Sequence, residues 1–320
     1  MIIIIGKTPP PYGGVTIYVS RLIDSLATQR EKYLFFPLTI QNVFRSFYLL
    51  RKGSIVHLIA SHPLIRFYYS VLCKILQKKL IILYTDNYGG FKKKYLNLFN
   101  KLSVQLANLP LALNHDSFNK MKHLNANTEL ISSFLPPIID NKAIKEFNDS
   151  YHLFLLKYNQ IFCTNAFDYS IDKNGSELYG ILSLIKIFND LPNYGLMIAD
   201  PSGSYQDIIR KNNILLGSNI LLLSKSKFSF IEVLQASHCF IRATTTDGDA
   251  LSIKEALYLG KVVICSDCVS RPDGCILYKS EDFEALKNTL LKLRHFSIRS
   301  ESFSLNSGME DILNIYKKLG

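Results

Sequence analysis

A regular alternation of short β-branched runs with amphipathic helical patterns constrains the fold of this chain most strongly. The run MIIIIG is followed by VTIYVSRLIDSLA, SIVHLIA by LIRFYYSVLCKILQ, and KLIILYTD by KKKYLNLFNKLSVQLA. Strand runs that alternate with helical runs predict a parallel sheet covered by helices. The chain is therefore predicted to be an α/β protein.

The alternation occurs in two series. The first ends near the Pro136-Pro137 pair, and the second begins with QIFCTNAF and continues through YGLMIAD, NILLLS, HCFIRAT, KVVICS and CILY. At 320 residues the chain exceeds the size at which one core usually stops growing. We therefore predict two tandem Rossmann-like domains with a ligand site in the cleft between them. The expected ranges are 1–140, 141–303, and a C-terminal helix in 304–320 that packs back on the first domain.

Positive charge is concentrated in the first part of the chain. Residues 1–135 hold 17 Lys and Arg against 5 Asp and Glu, whereas the remainder holds 20 against 21. The basic runs KILQKKL and FKKKYLNLFNKL interleave Lys with Tyr, Phe and Leu, and no nucleic-acid-binding signature accompanies them. We expect an anionic membrane surface or a lipid-diphosphate acceptor as the partner, and no nucleic acid. The alternative for any single helix is an ordinary solvated face.

Several classes of protein are not expected from the composition. No apolar run approaches the roughly 20 residues of a membrane span, and MIIIIGK lacks the features of a signal peptide. A cytoplasmic protein, associated peripherally with the inner face of the membrane, is expected. Cys265 and Cys268 form a CxxC without a second pair, so no metal site is expected. Cys163, Cys239 and Cys265 fall in predicted buried strands.

The run TTTDGDALSIKEALYLGKVVICS carries the strongest functional pattern. Asp247 and Glu255 flank a turn that follows a strand and leads into a helix, and Gly248 lets the backbone turn tightly there. Free amides at a helix start bind anions, and carboxylates accept hydrogen bonds from sugar hydroxyls. The pattern therefore favours a ligand that combines phosphate and hydroxyl groups. The alternative is a capping box, Ser252-x-x-Glu255, with Asp247 and Asp249 as turn residues.

The run DGDALSIKEALYLGKVVICSD resembles the donor-site signature of glycosyltransferase family 4, and in particular a bacterial polysaccharide-assembly branch. Members are retaining enzymes of the GT-B fold, which has two Rossmann-like domains, and they use nucleotide sugars. The signature is an acid, seven residues, then Glu, and Asp247 stands in place of the more common first Glu. The resemblance implies that Glu255 binds the nucleotide ribose and that Asp247 contacts the transferred sugar. The donor-binding residues implied in this run are Gly248, Asp249, Ala250, Leu251, Ser252 and Glu255.

Two further motifs fit the same resemblance. In PPPYGGVTIYVSRLIDSL, Gly13 and Gly14 match a P-x-GG loop that lies over the donor diphosphate and the acceptor. In CTNAFDYSIDKNGSELYG, Asn165 stands where many members carry Arg. Lys173 is a candidate phosphate contact, with a solvated loop lysine as the alternative. Arg242 is a further candidate cation beside the strongest motif.

The acceptor side departs from the family pattern. Members often carry a His where ILYTDNYGG has Asp86 and Asn87. Asp86 is predicted to orient the acceptor hydroxyl or act as its base, and alternatively to cap the next segment. His62 is a second candidate nearby.

The resemblance implies a retaining glycosyltransferase that moves a hexose-type sugar to a growing, lipid-linked bacterial surface glycan such as O-antigen or capsule. The expected co-substrate is a UDP- or GDP-linked sugar, with no other cofactor and no metal. Asp247, Glu255 and Asp86 are its candidate catalytic residues. Two alternatives stay open. One is a non-catalytic GT-B subunit that binds a glycan or a partner enzyme, and the other is a GT-B sugar-nucleotide epimerase.

Overall fold

The computed structural model describes residues 1–9, 14–85, 88–89, 91–172, 174–247, 250–293 and 308–320. Its contacts divide the chain into two compact units. Unit 1 comprises Met1–Ile138 and the C-terminal helix, and unit 2 begins at Ile139. The division lies close to the predicted boundary at residue 140.

Unit 1 is a parallel sheet with helices in its connections. Its strands are β1 (Ile2–Gly6), β2 (Tyr33–Pro37), β3 (Ile55–Ile59), β4 (Lys79–Tyr84), β5 (Leu109–Ala112) and β6 (Glu129–Leu130). Its first five helices are α1 (Gly14–Thr28), α2 (Ile40–Leu49), α3 (Pro63–Ile75), α4 (Lys94–Leu106) and α5 (His115–Lys122). The six strands lie in the order β2-β1-β3-β4-β5-β6.

The strands of unit 1 have apolar side chains on both faces, as expected of a buried parallel sheet. Every residue of β1 is buried. On one face Ile4 packs in a cluster with Leu22 of α1. On the other face Ile3 packs in a cluster with Tyr69 of α3 and Val104 of α4. The alternation of strand side chains therefore supplies two cores, one beneath each helix layer.

Unit 2 repeats this architecture. Its strands are β7 (Ile161–Asn165), β8 (Gly195–Asp200), β9 (Ile220–Ser224), β10 (Cys239–Arg242), β11 (Val262–Ser266) and β12 (Cys275–Tyr278). Its helices are α6 (Asn141–Ser150), α7 (His152–Lys157), α8 (Ile181–Asn189), α9 (Ser204–Lys211), α10 (Phe230–Ala236), α11 (Leu251–Tyr258) and α12 (Phe283–Lys292). The parallel strands lie in the order β12-β11-β10-β7-β8-β9.

The strand orders place one switch point in each sheet, where the chain reverses its direction of travel across the sheet. In unit 1 this point lies between β1 and β3, and in unit 2 between β7 and β10. In open α/β sheets ligands bind beyond the carboxyl ends of the strands at such points. The two glycine-containing motifs of the sequence directly follow β1 and β10, which are both strands at a switch point.

The last helix, α13 (Gly308–Leu319), belongs to unit 1. The Gly308 amide donates to the Phe134 carbonyl at 3.0 Å. The Tyr316 hydroxyl and His57 Nδ1 of β3 lie 2.6 Å apart, and both residues are buried. Ile312 is fully buried in the same core cluster as α1. Helix α13 therefore completes one of the two helix layers of unit 1.

The predicted architecture of two Rossmann-like α/β units is confirmed. The structure adds elements that the sequence patterns did not single out, namely β2, α2, α6 and α7. Cys163, Cys239 and Cys265 are buried in strands, as predicted, and all six thiols are free. Within the described ranges, no helix has the length and hydropathy to cross a bilayer. No cluster of His, Cys, Asp or Glu side chains in those ranges is arranged to hold a metal ion.

Candidate functional site

An aspartate held between two arginines lies at the carboxyl end of β10. Arg242 donates to Asp247 through two bonds, Nε to Oδ2 and Nη2 to Oδ1, both at 3.0 Å. Arg271 donates from Nη1 to Oδ2 at 2.9 Å, and the Thr244 hydroxyl donates to the same oxygen at 3.2 Å. Paired bonds between a guanidinium and a carboxylate fix both groups in orientation. We call Arg242, Asp247 and Arg271 the arginine–aspartate cluster.

The cluster is shielded from solvent and stays charged. The side chains of Arg242, Asp247 and Arg271 are 12%, 8% and 2% exposed. Burial alone would raise the pKa of the Asp247 carboxyl. The hydrogen bonds and charges of the two arginines outweigh that effect, so the pKa lies below its ordinary value. With one anion between two cations, the cluster carries a net charge of +1.

Arg271 was not identified as a site residue from the sequence. It follows β11, the neighbour of β10, and its Nε donates to the Ser266 carbonyl at 3.0 Å. Its Nη2 donates to the Thr244 hydroxyl at 3.1 Å. The carboxyl ends of adjacent parallel strands meet at one edge of a sheet, so a cation in the loop after β11 is a usable signal. That signal was present in CVSRPDG.

The segment after β7 reaches the same edge. Asn165 Oδ1 lies 3.5 Å from Nη1 of Arg242, whose guanidinium also stands 5.1 Å from the centre of the Tyr179 ring. Gly180 has a φ of 67°, and a Cβ built on it would lie 2.5 Å from the Ala243 carbonyl oxygen. Only glycine therefore allows this close approach to the end of β10. The cluster therefore lies where the carboxyl ends of three neighbouring strands, β7, β10 and β11, meet.

The strongest motif leads directly into α11. The helix begins at Leu251, and Ala250 is its N-cap. The capping-box alternative required Ser252 as the N-cap and is therefore wrong. Glu255 lies one turn inside the helix and is 6% exposed. The start of α11 thus stands beside the arginine–aspartate cluster, with Glu255 on the same helix.

An open cavity of about 350 Å³ lies against the cluster. It brings the start of α11 and the loop after β11 together around Asp247 and Arg271. Its lining residues are Asp247, Ala250, Ile253, Val269, Ser270, Arg271 and Pro272. The cavity is therefore lined by one edge of the charged cluster and by apolar side chains.

The geometry gives Asp247 a role that the resemblance did not imply. Both of its carboxylate oxygens accept hydrogen bonds from arginine, so its first role in this structure is to hold Arg242 and Arg271. A contact between Asp247 and the transferred sugar stays a prediction.

The structure describes only some of the candidate site residues of unit 1. Gly14 is the first residue of α1, and a Cβ added to it would meet no atom of the described residues within 4 Å. His62 is the N-cap of α3, and its Nδ1 accepts from the Leu64 amide at 3.3 Å. The geometry therefore gives His62 a structural role. Five predicted site residues lie outside the described residues, namely Gly13, Asp86, Lys173, Gly248 and Asp249.

Comparison with solved structures identifies the fold. Anabaena HepE in complex with UDP-glucose has a TM-score of 0.64 and 13% identity, covering 100% of this chain and 98% of that one. The lipopolysaccharide outer core galactosyltransferase WaaB has a TM-score of 0.57 and 14% identity, covering 99% of each chain. The UDP-GlcNAc 2-epimerase of Methanocaldococcus jannaschii has a TM-score of 0.67 and 10% identity, covering 99% of each chain.

At these identities the likeness concerns the fold alone, and the chain has the GT-B fold. Neither a protein-family model nor a curated protein sequence matches the chain.

Proposed function

We propose that the chain is a glycosyltransferase that transfers a sugar from a nucleoside-diphosphate donor. The observation that carries the proposal is the arginine–aspartate cluster, which has a net charge of +1 and lies at the switch point of unit 2 beside the start of α11. A diphosphate matches this site because guanidinium groups and helix N-terminal amides both bind phosphate oxygens. The neighbours HepE and WaaB, one bound to UDP-glucose and one a galactosyltransferase, support the proposal.

In the proposed reaction the bond between the anomeric carbon of the sugar and the diphosphate breaks, and the oxygen of the acceptor hydroxyl forms a bond to that carbon. Negative charge develops on the leaving diphosphate, which takes up the proton of the acceptor hydroxyl. Arg242 and Arg271, together with Lys173, stabilise that charge. Asp247 acts through the arginines because it fixes their guanidinium planes before the donor arrives. Glu255 accepts hydrogen bonds from the ribose, and Asp86 orients the acceptor hydroxyl.

The finer proposal is a retaining transfer of a hexose from a UDP- or GDP-linked donor, without a metal or any other cofactor. The acceptor is a lipid-linked bacterial surface glycan at the inner face of the cell membrane. The resemblance to glycosyltransferase family 4 supports these details.

Donor binding is tested by thermal shift with UDP, GDP, ADP and dTDP, followed by titration of the best ligand. We expect one nucleoside diphosphate to raise the melting temperature, and Glu255→Gln to weaken its binding more than it weakens binding of inorganic diphosphate. Glu146→Gln, on the exposed surface of α6, is the control. If Glu255→Gln unfolds the protein without changing nucleotide affinity in the folded fraction, Glu255 is a structural residue.

The role of Asp247 is tested with Asp247→Asn. If Asp247 positions the arginines, the variant binds the nucleoside diphosphate about tenfold to a hundredfold more weakly, since hydrogen bonds to charged groups contribute roughly 1.5–3 kcal/mol. If Asp247 instead contacts only the sugar, turnover falls by a similar factor while the affinity for the free diphosphate is unchanged. Isothermal titration and turnover measured on the same preparation separate the two roles.

A sugar-nucleotide epimerase is the second candidate, and the likeness to the UDP-GlcNAc 2-epimerase favours it. Incubation with the donor identified by thermal shift, without any acceptor, distinguishes the two. An epimerase converts the sugar and leaves the nucleotide linkage intact, whereas a transferase releases the nucleoside diphosphate only slowly by hydrolysis. Nucleotide binding with neither outcome, and with no transfer to lipid-linked glycans, would favour a non-catalytic binding subunit.

A further inference from the structure

Helices α2, α3 and α4 form a continuous layer on one face of the unit 1 sheet. The Ser46 and Tyr68 hydroxyls join α2 to α3 at 2.7 Å. The rings of Phe67 and Phe99 join α3 to α4, with centroids 5.0 Å apart. Side chains from all three helices pack on the same core cluster beneath them. We call these three helices the α2–α4 layer.

Helix α2 presents its large apolar side chains to solvent. Ile40, Phe44 and Tyr48 are 78%, 82% and 70% exposed, and Phe47 is 38% exposed. These positions follow helical spacing and share one face. The buried residue of α2 is Ser46. A helix of a water-soluble domain usually turns its apolar stripe to the core, so this stripe indicates an apolar environment outside the unit 1 core.

The stripe stands on a well-formed helix. The Thr39 hydroxyl caps α2 by accepting from the Asn42 amide at 3.2 Å. The Asn42 side chain donates to the Pro37 carbonyl at 2.8 Å, which ties the helix start to the end of β2. Helix α2 is therefore fixed at its N-terminus with its apolar face outward.

The other two helices of the layer also expose large apolar side chains. Helices α3 and α4 each add large side chains that are at least 39% exposed. These are Leu64, Tyr68 and Ile75 on α3, and Tyr95 and Leu98 on α4. The layer thus exposes a high number of large apolar side chains on three packed helices, which is unusual for a soluble domain.

This part of the chain is strongly basic, and all of its Lys and Arg residues except Arg66 are at least partly exposed. Residues 32–115 contain 12 Lys and Arg and a single acid, Asp86. The Arg51 guanidinium stands 4.7 Å from the centre of the Phe47 ring, and the Lys93 ammonium 6.0 Å from that of Tyr95. Cations and exposed rings are therefore interleaved.

The combination of exposed apolar side chains and positive charge distinguishes between two possible partners, a second copy of the chain and an anionic bilayer. A second copy of the chain would bring two strongly positive surfaces together, which is unfavourable. Protein interfaces are moreover depleted of Lys at their cores. An anionic bilayer satisfies both features, because its headgroups attract Lys and Arg while Phe, Tyr and Ile enter the boundary with the acyl chains.

We propose that the α2–α4 layer is a docking surface for an anionic lipid bilayer, with the apolar stripe of α2 inserted at the level of the headgroups. The proposal stands on the exposed surface of unit 1 and does not depend on the reaction proposed for unit 2. Vesicle binding without nucleotide tests it, so its failure and that of the glycosyltransferase proposal are separate results.

The first experiment uses tryptophan fluorescence, since the sequence contains no Trp. Tyr48→Trp places one reporter on the stripe. Leu156→Trp places a matched reporter on α7 of unit 2, where the side chain is 79% exposed. With vesicles of pure phosphatidylglycerol we expect Tyr48→Trp to emit at shorter wavelength and to lose quenching by acrylamide. Leu156→Trp should change in neither respect, and vesicles of pure phosphatidylcholine should affect neither protein.

The second experiment measures sedimentation with phosphatidylglycerol vesicles. The double variant Phe44→Ser with Tyr48→Ser should bind about tenfold more weakly for each side chain removed. The control is Leu153→Ser with Leu156→Ser, which removes equally exposed apolar groups from α7 and should bind as the unmodified protein does. Both pairs are at the surface, so circular dichroism should show the same fold.

A charge variant completes the set. Arg45→Gln, Arg51→Gln and Lys52→Gln together should weaken binding at low salt by about fivefold for each cation, with the difference shrinking as salt rises. Equal binding to phosphatidylcholine and phosphatidylglycerol would overturn the proposal, as would unchanged quenching of Tyr48→Trp. A blue shift that appears without vesicles and grows with protein concentration would assign the surface to a second copy of the chain.

Discussion

Each unit contains its own parallel six-stranded sheet, and the two units differ in where their positively charged side chains lie. In unit 2, Arg242 and Arg271 are partly buried, with largely shielded side chains held by the carboxylate of Asp247. In unit 1, Arg45 on α2 and Arg51 just after it are exposed, in a stretch of sequence that is almost free of acids.

The difference matches two kinds of recognition. A buried guanidinium held by paired hydrogen bonds has one position, which suits a small anion bound at one place. Exposed Lys and Arg side chains move freely and attract a broad negative surface, with a strength that depends on salt. The contrast is therefore between a site for a single diphosphate and a surface for many headgroups.

The largest effect expected from this contrast is on the stability of unit 2. Asp247→Asn takes the charged carboxylate from two arginines whose side chains are largely shielded from solvent, and breaking a buried charge pair typically costs about 3–5 kcal/mol of the free energy of unfolding. The matched control is Glu146→Gln, whose partner Lys227 is exposed, and exposed pairs contribute less than about 1 kcal/mol. Urea denaturation followed by circular dichroism measures both. A loss for Asp247→Asn as small as the control would mean that solvent already reaches the arginines.

Much of the fold could be predicted from the sequence because buried parallel strands are continuous apolar runs that stand out between helical patterns. Helix α2 was missed for a physical reason. Its large apolar residues lie on an exposed face and its buried position is Ser46, so the stretch IQNVFRSFYLL has no clean core-facing stripe. Strand β2, YLFFP, is only partly buried and precedes that ambiguous segment.

The candidate site was predictable where its residues are close in sequence. Asp247 and Glu255 share one motif, and Arg242 ends the strand before it. Arg271 is 24 residues from Asp247, and the pairing of β10 with β11 brings it to the cluster. The two residues are close only because their strands are neighbours in the sheet. For the same reason, the sequence could not indicate that arginines occupy both oxygens of Asp247.

A second prediction compares one titratable group from each unit, His57 of unit 1 and Asp247 of unit 2. Burial lowers the pKa of His57 to about 3, so His57 stays neutral in the folded protein. An unfolded histidine titrates near 6.5. As the pH falls below about 6.5 the unfolded state takes up a proton that the folded state does not, and stability declines by about 1.4 kcal/mol per pH unit.

Asp247 is ionised in the folded protein, whereas His57 is neutral, but both groups make the folded protein less stable as the pH falls. Its pKa is lowered in the folded protein, so its contribution to stability is complete above the ordinary value near 3.9 and is lost only as the pH falls further. Urea denaturation between about pH 6 and pH 4.5 therefore reports on the histidines whose pKa is lowered by burial, His57 and the half-buried His238, and the variants below assign the share of His57. We expect His57→Gln to flatten the pH dependence and the exposed control His123→Gln to leave it unchanged. An unchanged slope in His57→Gln would show that His57 can be protonated in the folded state.

The smallest expected effect on the free energy of unfolding is that of a substitution on the exposed surface of unit 1. Phe44 is 82% exposed on α2, and Leu50, at the end of the same helix, is fully buried. Phe44→Ser removes an aromatic ring that touches mainly water, so the free energy of unfolding should change by no more than about 0.5 kcal/mol. Leu50→Ala removes core packing and should cost about 2–5 kcal/mol. Urea denaturation of both variants without lipid compares them directly. A loss above about 1.5 kcal/mol for Phe44→Ser would mean that Phe44 packs within the protein, and the stripe of α2 would then not be free to enter a membrane.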